Sequence, residues 1–247
     1  SMAGMPVGKK TADGKSDLAY ENSMAIGVNT RSYATSTIAI GNNAVAGNIN
    51  ETQTATDSNG RGAIALGENA QSTSYYTVAI GGNSAASSKF SVSIGEESGA
   101  TGANTLALGY GAKATDVDGI ALGQSASASG QDTIAQGYKA SASSTGSIAL
   151  GKNSISSGFA SIVLGAEAQG KNSQSVAIGY NAHSEADKAI ALGNATAKAE
   201  GSVALGYGST ATRAAVPVGR PWTAPGAAGF LQRTLPSAPA AVHGTAR

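Results

Sequence analysis

The side chains best suited to acid–base, nucleophilic or metal chemistry are few and scattered. Cysteine is absent, which removes thiol nucleophiles, disulfide staples and Cys-ligated zinc. His183 and His243 are the only histidines. Neither has neighbours at the spacing of a zinc site or of a nucleophile–His–carboxylate triad. Asp116, Asp118 and Asp132 do not recur as a ligand ladder, and the Gly-Gly-x-Gly-x-Asp pattern of calcium-binding solenoids is missing. The glycines that recur with the repeat form neither the strand-to-helix fingerprint of a dinucleotide site nor the Gly-Lys-Ser/Thr ending of a phosphate loop. The expectation is therefore no catalytic residue, no cofactor and no metal, in a protein that binds or builds rather than catalyses.

The elements that would position any site must be made from unusual material. Gly, Ala and Ser together make 114 of 247 residues, while 3 Phe, 1 Trp and 8 Tyr supply all the aromatics. A thick, irregular core is thereby excluded, although the length would permit one. With 16 Lys+Arg against 15 Asp+Glu the formal charge is +1. No basic field nominates nucleic acid or acidic lipid as a partner. No stretch approaches the roughly 20 apolar residues of a membrane helix.

One period organises most of the chain. Glycines fall at 67, 81, 95, 109, 123, 137, 151, 165, 179 and 193, nine successive intervals of 14. Gly27 and Gly41 share the spacing, Gly206 follows Gly193 by 13, and Gly41 to Gly67 spans 26, two periods less two. Before each glycine stand an apolar residue, usually a small one, and a second apolar one, as in Ile38-Ala39-Ile40 and Val78-Ala79-Ile80. That alternation predicts a short strand, and the β-branched residues three before Gly suit it. A weaker alternation of Ala and Ser follows, as in Ala44/Ala46 and Ala112/Ala114, with Asn, Gly, Ser and Asp between. Two strands and two tight turns per repeat account for this.

The competing reading of 14 residues is two coiled-coil heptads, but those need apolar spacings of three and four. Here the spacings are two and twelve, and a Gly in every repeat costs a helix about 1 kcal/mol each time. Disorder gives no reason for an apolar pair to stay in phase for ten repeats. An all-β solenoid of 14-residue coils remains, a flattened roll of two parallel sheets. Stacking at about 4.8 Å is expected to run the Val, Ile and Leu residues into ladders. Thirteen recognisable coils and one degenerate coil near Asn48 to Ser58 would make a rod of about 65 Å. The second sheet presents mainly Ala and Ser, small enough for a narrow interior or a close chain contact.

The repeat Ser175-Val176-Ala177-Ile178-Gly179-Tyr180-Asn181-Ala182 and its copies resemble the head repeats of YadA-like trimeric autotransporter adhesins of Gram-negative bacteria. The resemblance covers about 22–210. It implies a left-handed parallel β-roll, a homotrimer about a threefold axis, and a head on the extracellular face of the outer membrane, held off by a neck, stalk and anchor. It also implies host extracellular-matrix proteins such as collagen, fibronectin or laminin, or a cell-surface receptor, as partners, with self-association besides. In collagen-binding relatives an Asn-Ser-Val-Ala-Ile-Gly core is implicated. Its nearest counterpart is Asn22-Ser23-Met24-Ala25-Ile26-Gly27, with Met24 for Val. Ser175, Val176, Ala177, Ile178 and Gly179 keep five of the six residues, with Gln174 in place of Asn.

Departures from the repeat mark further candidates. Gln136 puts an amide where the clear copies have Ile or Leu, answered by pairing of three amides in a trimer, by water, or by an ion or small molecule. The interrupted stretch, a degenerate or inserted coil about 45–62, is expected to protrude, offering Asn48, Asn50, Glu51, Asp57 and Asn59 as loop contacts. Tyr110, Tyr138, Tyr180 and Tyr207 follow repeat glycines, while Tyr75, Tyr76 and Phe90 lie near the other turn. They either make adhesive contacts or cover turn backbone and fill gaps between chains. Residues 1–21 read as a lead-in whose Ser1-Met2-Ala3-Gly4 resembles a vector remnant. Residues 211–247, rich in Pro and without heptads, read as an irregular, truncated or non-native neck region, expected to lack order. Two other classes share the grammar: a viral or phage spike without matrix binding, and an ice-binding solenoid. Thr37, Thr77, Thr105 and Thr133 alternate too irregularly for the Thr ladder of the latter.

Overall fold

The computed structural model describes residues 23–47 and 60–214, and within them the chain winds as a β-solenoid. Each coil gives a three-residue strand to one sheet and a two-residue strand to the other, and neighbouring strands in both sheets are parallel. Sheet 1 begins with β1 (Met24–Ile26), β3 (Ile38–Ile40) and β5 (Ile64–Leu66) and ends with β25 (Val203–Leu205). Sheet 2 begins with β2 (Arg31–Ser32), β4 (Val45–Ala46) and β6 (Gln71–Ser72) and ends with β26 (Thr210–Ala211). Partners across most steps are 14 residues apart, such as Val78 with Val92, and 13 apart between Ile190 and Val203. With thirteen strands in each sheet, the stack rises about 58 Å from first rung to last at the spacing of paired strands.

The corners explain the period. At the first corner Asn43, Asn69 and Asn83 sit at φ of 56°, 54° and 55°, the left-handed region that Asn tolerates through its short, locally bonding side chain. Their amides link successive coils, Asn43 Nδ2 donating to Asn69 Oδ1 and Asn69 Nδ2 to Asn83 Oδ1, each at 3.1 Å. The repeat glycine has a different cause. Gly81 has φ +128°, and a Cβ there would lie 2.5 Å from the Gly95 carbonyl oxygen. The backbone of the next coil occupies the place of a side chain.

The predicted ladders of Val, Ile and Leu form, but on the outside. In the coil from Thr77, the inward positions are Thr77, Ala79, Ser84 and Ala86, all 0% exposed. Val78 and Ile80 flank Ala79 and point away from it. Among the described residues every buried apolar residue except Val163 is alanine. The short corners, four and five residues between strands, hold the sheets so close that only methyl- and hydroxyl-sized groups fit between them. The hydroxyls inside bond across the gap, as Ser72 Oγ with Thr77 Oγ1 and Ser93 Oγ with Ser98 Oγ, both at 2.7 Å. Where Val163 intrudes, Gly170 makes room: a Cβ on Gly170 would stand 2.8 Å from Val163 Cγ2.

The degenerate coil expected near Asn48 to Ser58 is not intercalated. Ile38 pairs directly with Ile64, so β3 is hydrogen-bonded to β5 with no strand between them. The interval of 26 is one coil of 14 plus twelve residues, 48–59, inserted between Gly47 and Gly60. Gly47 N donates to Ser72 O at 2.8 Å and Gly62 N to Thr35 O at 3.1 Å, so the coil closes on both sides of the insertion.

Candidate binding surfaces

Three outward surfaces result: the face of sheet 1, the face of sheet 2 and the two rows of corners. On sheet 1 the outer residues are the large aliphatics, in two rows along the stack. Eight of them are exposed in the single chain, from 37% at Ile40 and Ile178 to 71% at Leu205, and the others are half-buried. Contiguous apolar surface on this scale marks a contact site. On sheet 2 the matching positions carry Gln71, Ala85, Gly99, Lys113, Ser127 and Ser141. That face is mainly polar or small, with Val45 and Ile155 as aliphatic exceptions.

The repeat motif residues divide by this in-and-out rule. Asn22 lies outside the described residues. Met24 is 47% and Ile26 53% exposed on the first strand of sheet 1, flanked by Ser23, Ala25 and Gly27. Ser175 and Ala177 are fully buried, Gly179 turns the chain, and only Val176 and Ile178 offer side chains outward. The Ser and Ala of the motif therefore build the interior, and only its aliphatic pair can touch another molecule. The two copies stand ten rungs apart in sheet 1, about 48 Å, and form no joint site.

Gln136 is exposed on the outer row of sheet 1, paired with Leu122 on one side and Leu150 on the other. It does not enter the interior of the coil. Asn48, Asn50, Glu51, Asp57 and Asn59 all lie outside the described residues, as does His243. His183 is half-buried on sheet 2, its Nε2 3.1 Å from Asn181 Oδ1 and its Nδ1 3.9 Å from Glu185. Asp118 accepts a hydrogen bond from Asn104 Nδ2 at 3.0 Å, and Asp116 caps the Val117 amide at 2.8 Å. Thr37, Thr77, Thr105 and Thr133 all face the interior, so the uneven Thr series is not a surface feature at all.

The aromatic residues occupy corners. Tyr110, Tyr138, Tyr180 and Tyr207 stand at the first corner, 40% to 93% exposed. The Glu97 carboxylate, by its charge and its hydrogen bond, holds the Tyr110 hydroxyl above its ordinary pKa. Lys139 Nζ lies 5.2 Å from the Tyr138 ring centroid. The second corner holds a cluster. Tyr75 meets Tyr76 edge-on with centroids 4.3 Å apart and Phe90 at 5.7 Å, while Tyr76 and Phe90 stack at 6.2 Å with an 18° tilt. Tyr76 and Phe90 are 14 apart, so the period itself placed them on adjacent rungs. The Tyr75 hydroxyl, hydrogen-bonding as donor to Tyr76, has its pKa raised, and the nearby Arg61 charge opposes that rise.

Among the described residues no helix is long and apolar enough to cross a membrane. The family model described as the YadA head domain repeat (2 copies) matches residues 21–44, 58–84, 72–98, 100–126, 128–154, 171–196, 193–209 and 197–214. No curated protein matches the chain. Among solved structures, the collagen-binding domain of the Yersinia adhesin YadA is similar at 22% identity, over 92% of this chain and 88% of that one, with a TM-score of 0.32.

Proposed function

The chain belongs to the YadA head-domain family, and from that premise we propose that it is the head of a trimeric bacterial adhesin, working by binding and not by catalysis. The observation that carries the reading is the outer face of sheet 1. Twelve of the thirteen rungs present paired large aliphatics outward, while the chain fills its own interior with alanine, serine and threonine. A second and third copy supply the missing cover. Every copy repeats the same rung spacing, so identical faces pack rung against rung. The family resemblance supports three copies about one axis and a left-handed turn of each coil. Sheet 2 and its corners then stay in solvent for ligands.

In this reading the head stands on the extracellular face of a Gram-negative outer membrane. It attaches to matrix proteins of the collagen, fibronectin or laminin class or to a cell-surface receptor, and like heads associate with one another. Light scattering should give three times the 24.0 kDa chain mass. The trimer should bind immobilised collagen, fibronectin or laminin where a repeat-scrambled chain does not. A monomer would overturn the assembly, and a trimer that retains none of these proteins, nor host cells, would overturn the attachment.

A further inference from the structure

We propose that the second corner between Arg61 and Phe90 is a binding site for an acidic polysaccharide, whose sugar rings lie on Tyr75, Tyr76 and Phe90 while Arg61 and Lys89 hold its anionic groups. Two adjacent columns make the site. One reads Arg61, Tyr75, Lys89 and the other Gly62, Tyr76, Phe90, each member one coil above the last. The Tyr76 ring lies directly over Gly62, which has no side chain to block it.

The size of the side chain carried at a left-handed backbone position is what sets these rings apart. Tyr76 has φ +49° and Phe90 φ +58°, in the left-handed region that bulky residues avoid. The same corner position elsewhere carries Asn104, Asp118, Asp132 and Gly146, which suit that geometry, and then Ala160, Gln174 and Lys188, none of them aromatic. Two successive coils thus hold strained aromatic residues where Asn or Gly would serve the fold better, and both rings are about half exposed, at 46% and 51%.

The charge around the rings selects the ligand. Arg61 and Lys89 are exposed, and among the described residues the corner carries no carboxylate from Gly60 to Asn104. The cations are two coils apart, a rise of about 10 Å, with Tyr75 on the coil between them. Cation, ring, cation at that pitch complements an extended chain in which acidic and neutral sugars alternate. The rings present themselves on a convex corner, so a flat pyranose face can stack on them without entering a cavity. No single contact is strong, and a polymer engages the corner of every chain in an assembly.

The site names a ligand class for the adhesive head proposed above, but does not depend on matrix-protein binding. The test uses the full chain on surfaces coated with hyaluronan, heparin and neutral dextran, with matrix-protein binding and molar mass measured in parallel. Both acidic polymers should bind and dextran should not. Y76N/F90N should weaken binding at least about tenfold, equivalent to about 1.4 kcal/mol, while keeping salt dependence. Its melting temperature should hold, because Asn occupies the position at Asn104. R61Q/K89Q should weaken binding and flatten the salt dependence. Equal binding by Y76N/F90N and the unaltered chain, equal capture by dextran, or no capture by either acidic polymer overturns the site. If Y76N/F90N instead loses the assembled mass and keeps polymer binding, the rings serve chain packing and the proposal is wrong. Polymer binding without matrix-protein binding would leave the site standing and sink only the attachment reading.

Discussion

The outer faces of the two sheets share one coil-to-coil register and differ most in what they carry. Both are parallel stacks of thirteen short strands on the same alanine-and-serine interior, with the same coil-to-coil register. Sheet 1 turns Val, Ile and Leu outward, whereas sheet 2 turns out residues such as Lys113, Ser127, Ser141 and Gln169. The fold of one coil needs neither set, because neither reaches its interior. In the proposed assembly the difference belongs to what each face meets: on sheet 1 an apolar partner, on sheet 2 water and soluble ligands.

The largest expected effect breaks that contrast at its apolar side. L108D/L122D places two carboxylates on adjacent rungs of the sheet 1 face. Burial of an unpaired charge costs several kcal/mol, so light scattering should find monomers, while Ser127→Asp and Ser141→Asp on sheet 2 leave the mass unchanged. Next comes the interior that both faces share. Ala135→Leu adds three carbons where exposure is 0%, and overpacking should lower stability by about 3 kcal/mol in denaturant titration. Gly170→Ala should cost about 1–2 kcal/mol against Val163, and V163A/G170A should recover most of it, which locates the loss in a clash rather than in the glycine. The smallest effect sharpens the comparison. Gln136→Leu completes the apolar row and should strengthen assembly by about 1 kcal/mol per chain, read as a lower dissociation concentration.

Much of this was legible in the order of residues. The apolar triplets such as Ile38-Ala39-Ile40 and Leu106-Ala107-Leu108 coincide with the strands of sheet 1. The weaker alternation Ala44/Ala46 marks the inward side of sheet 2. Alternation says that Ile and Ala point to opposite faces, and it leaves open which face is inside. The ordinary rule sends Ile inward. Here corner size decides instead, and only a three-dimensional closure of the coil expresses it. The 26-residue interval was ambiguous for a related reason, since two short coils and one coil with an insertion have the same length. The pairing of Ile38 with Ile64 selects the latter. The aromatic corner could have been found from spacing, because Tyr76 and Phe90 differ by one period. What spacing could not supply is their left-handed backbone.

The chain has no cysteine, so single thiols report local exposure directly. The most direct test of the central claim compares the reaction rates of L108C and S127C with a small thiol reagent, one on each outer face. In the isolated coil stack Leu108 is 43% exposed and Ser127 half-buried, so a free chain would show L108C reacting at least as fast. If the sheet 1 face is covered by other copies, L108C reacts much more slowly than S127C and catches up only when the assembly is dissociated. An L108C that reacts as fast as S127C in the native protein would contradict the assignment of that face as an interface.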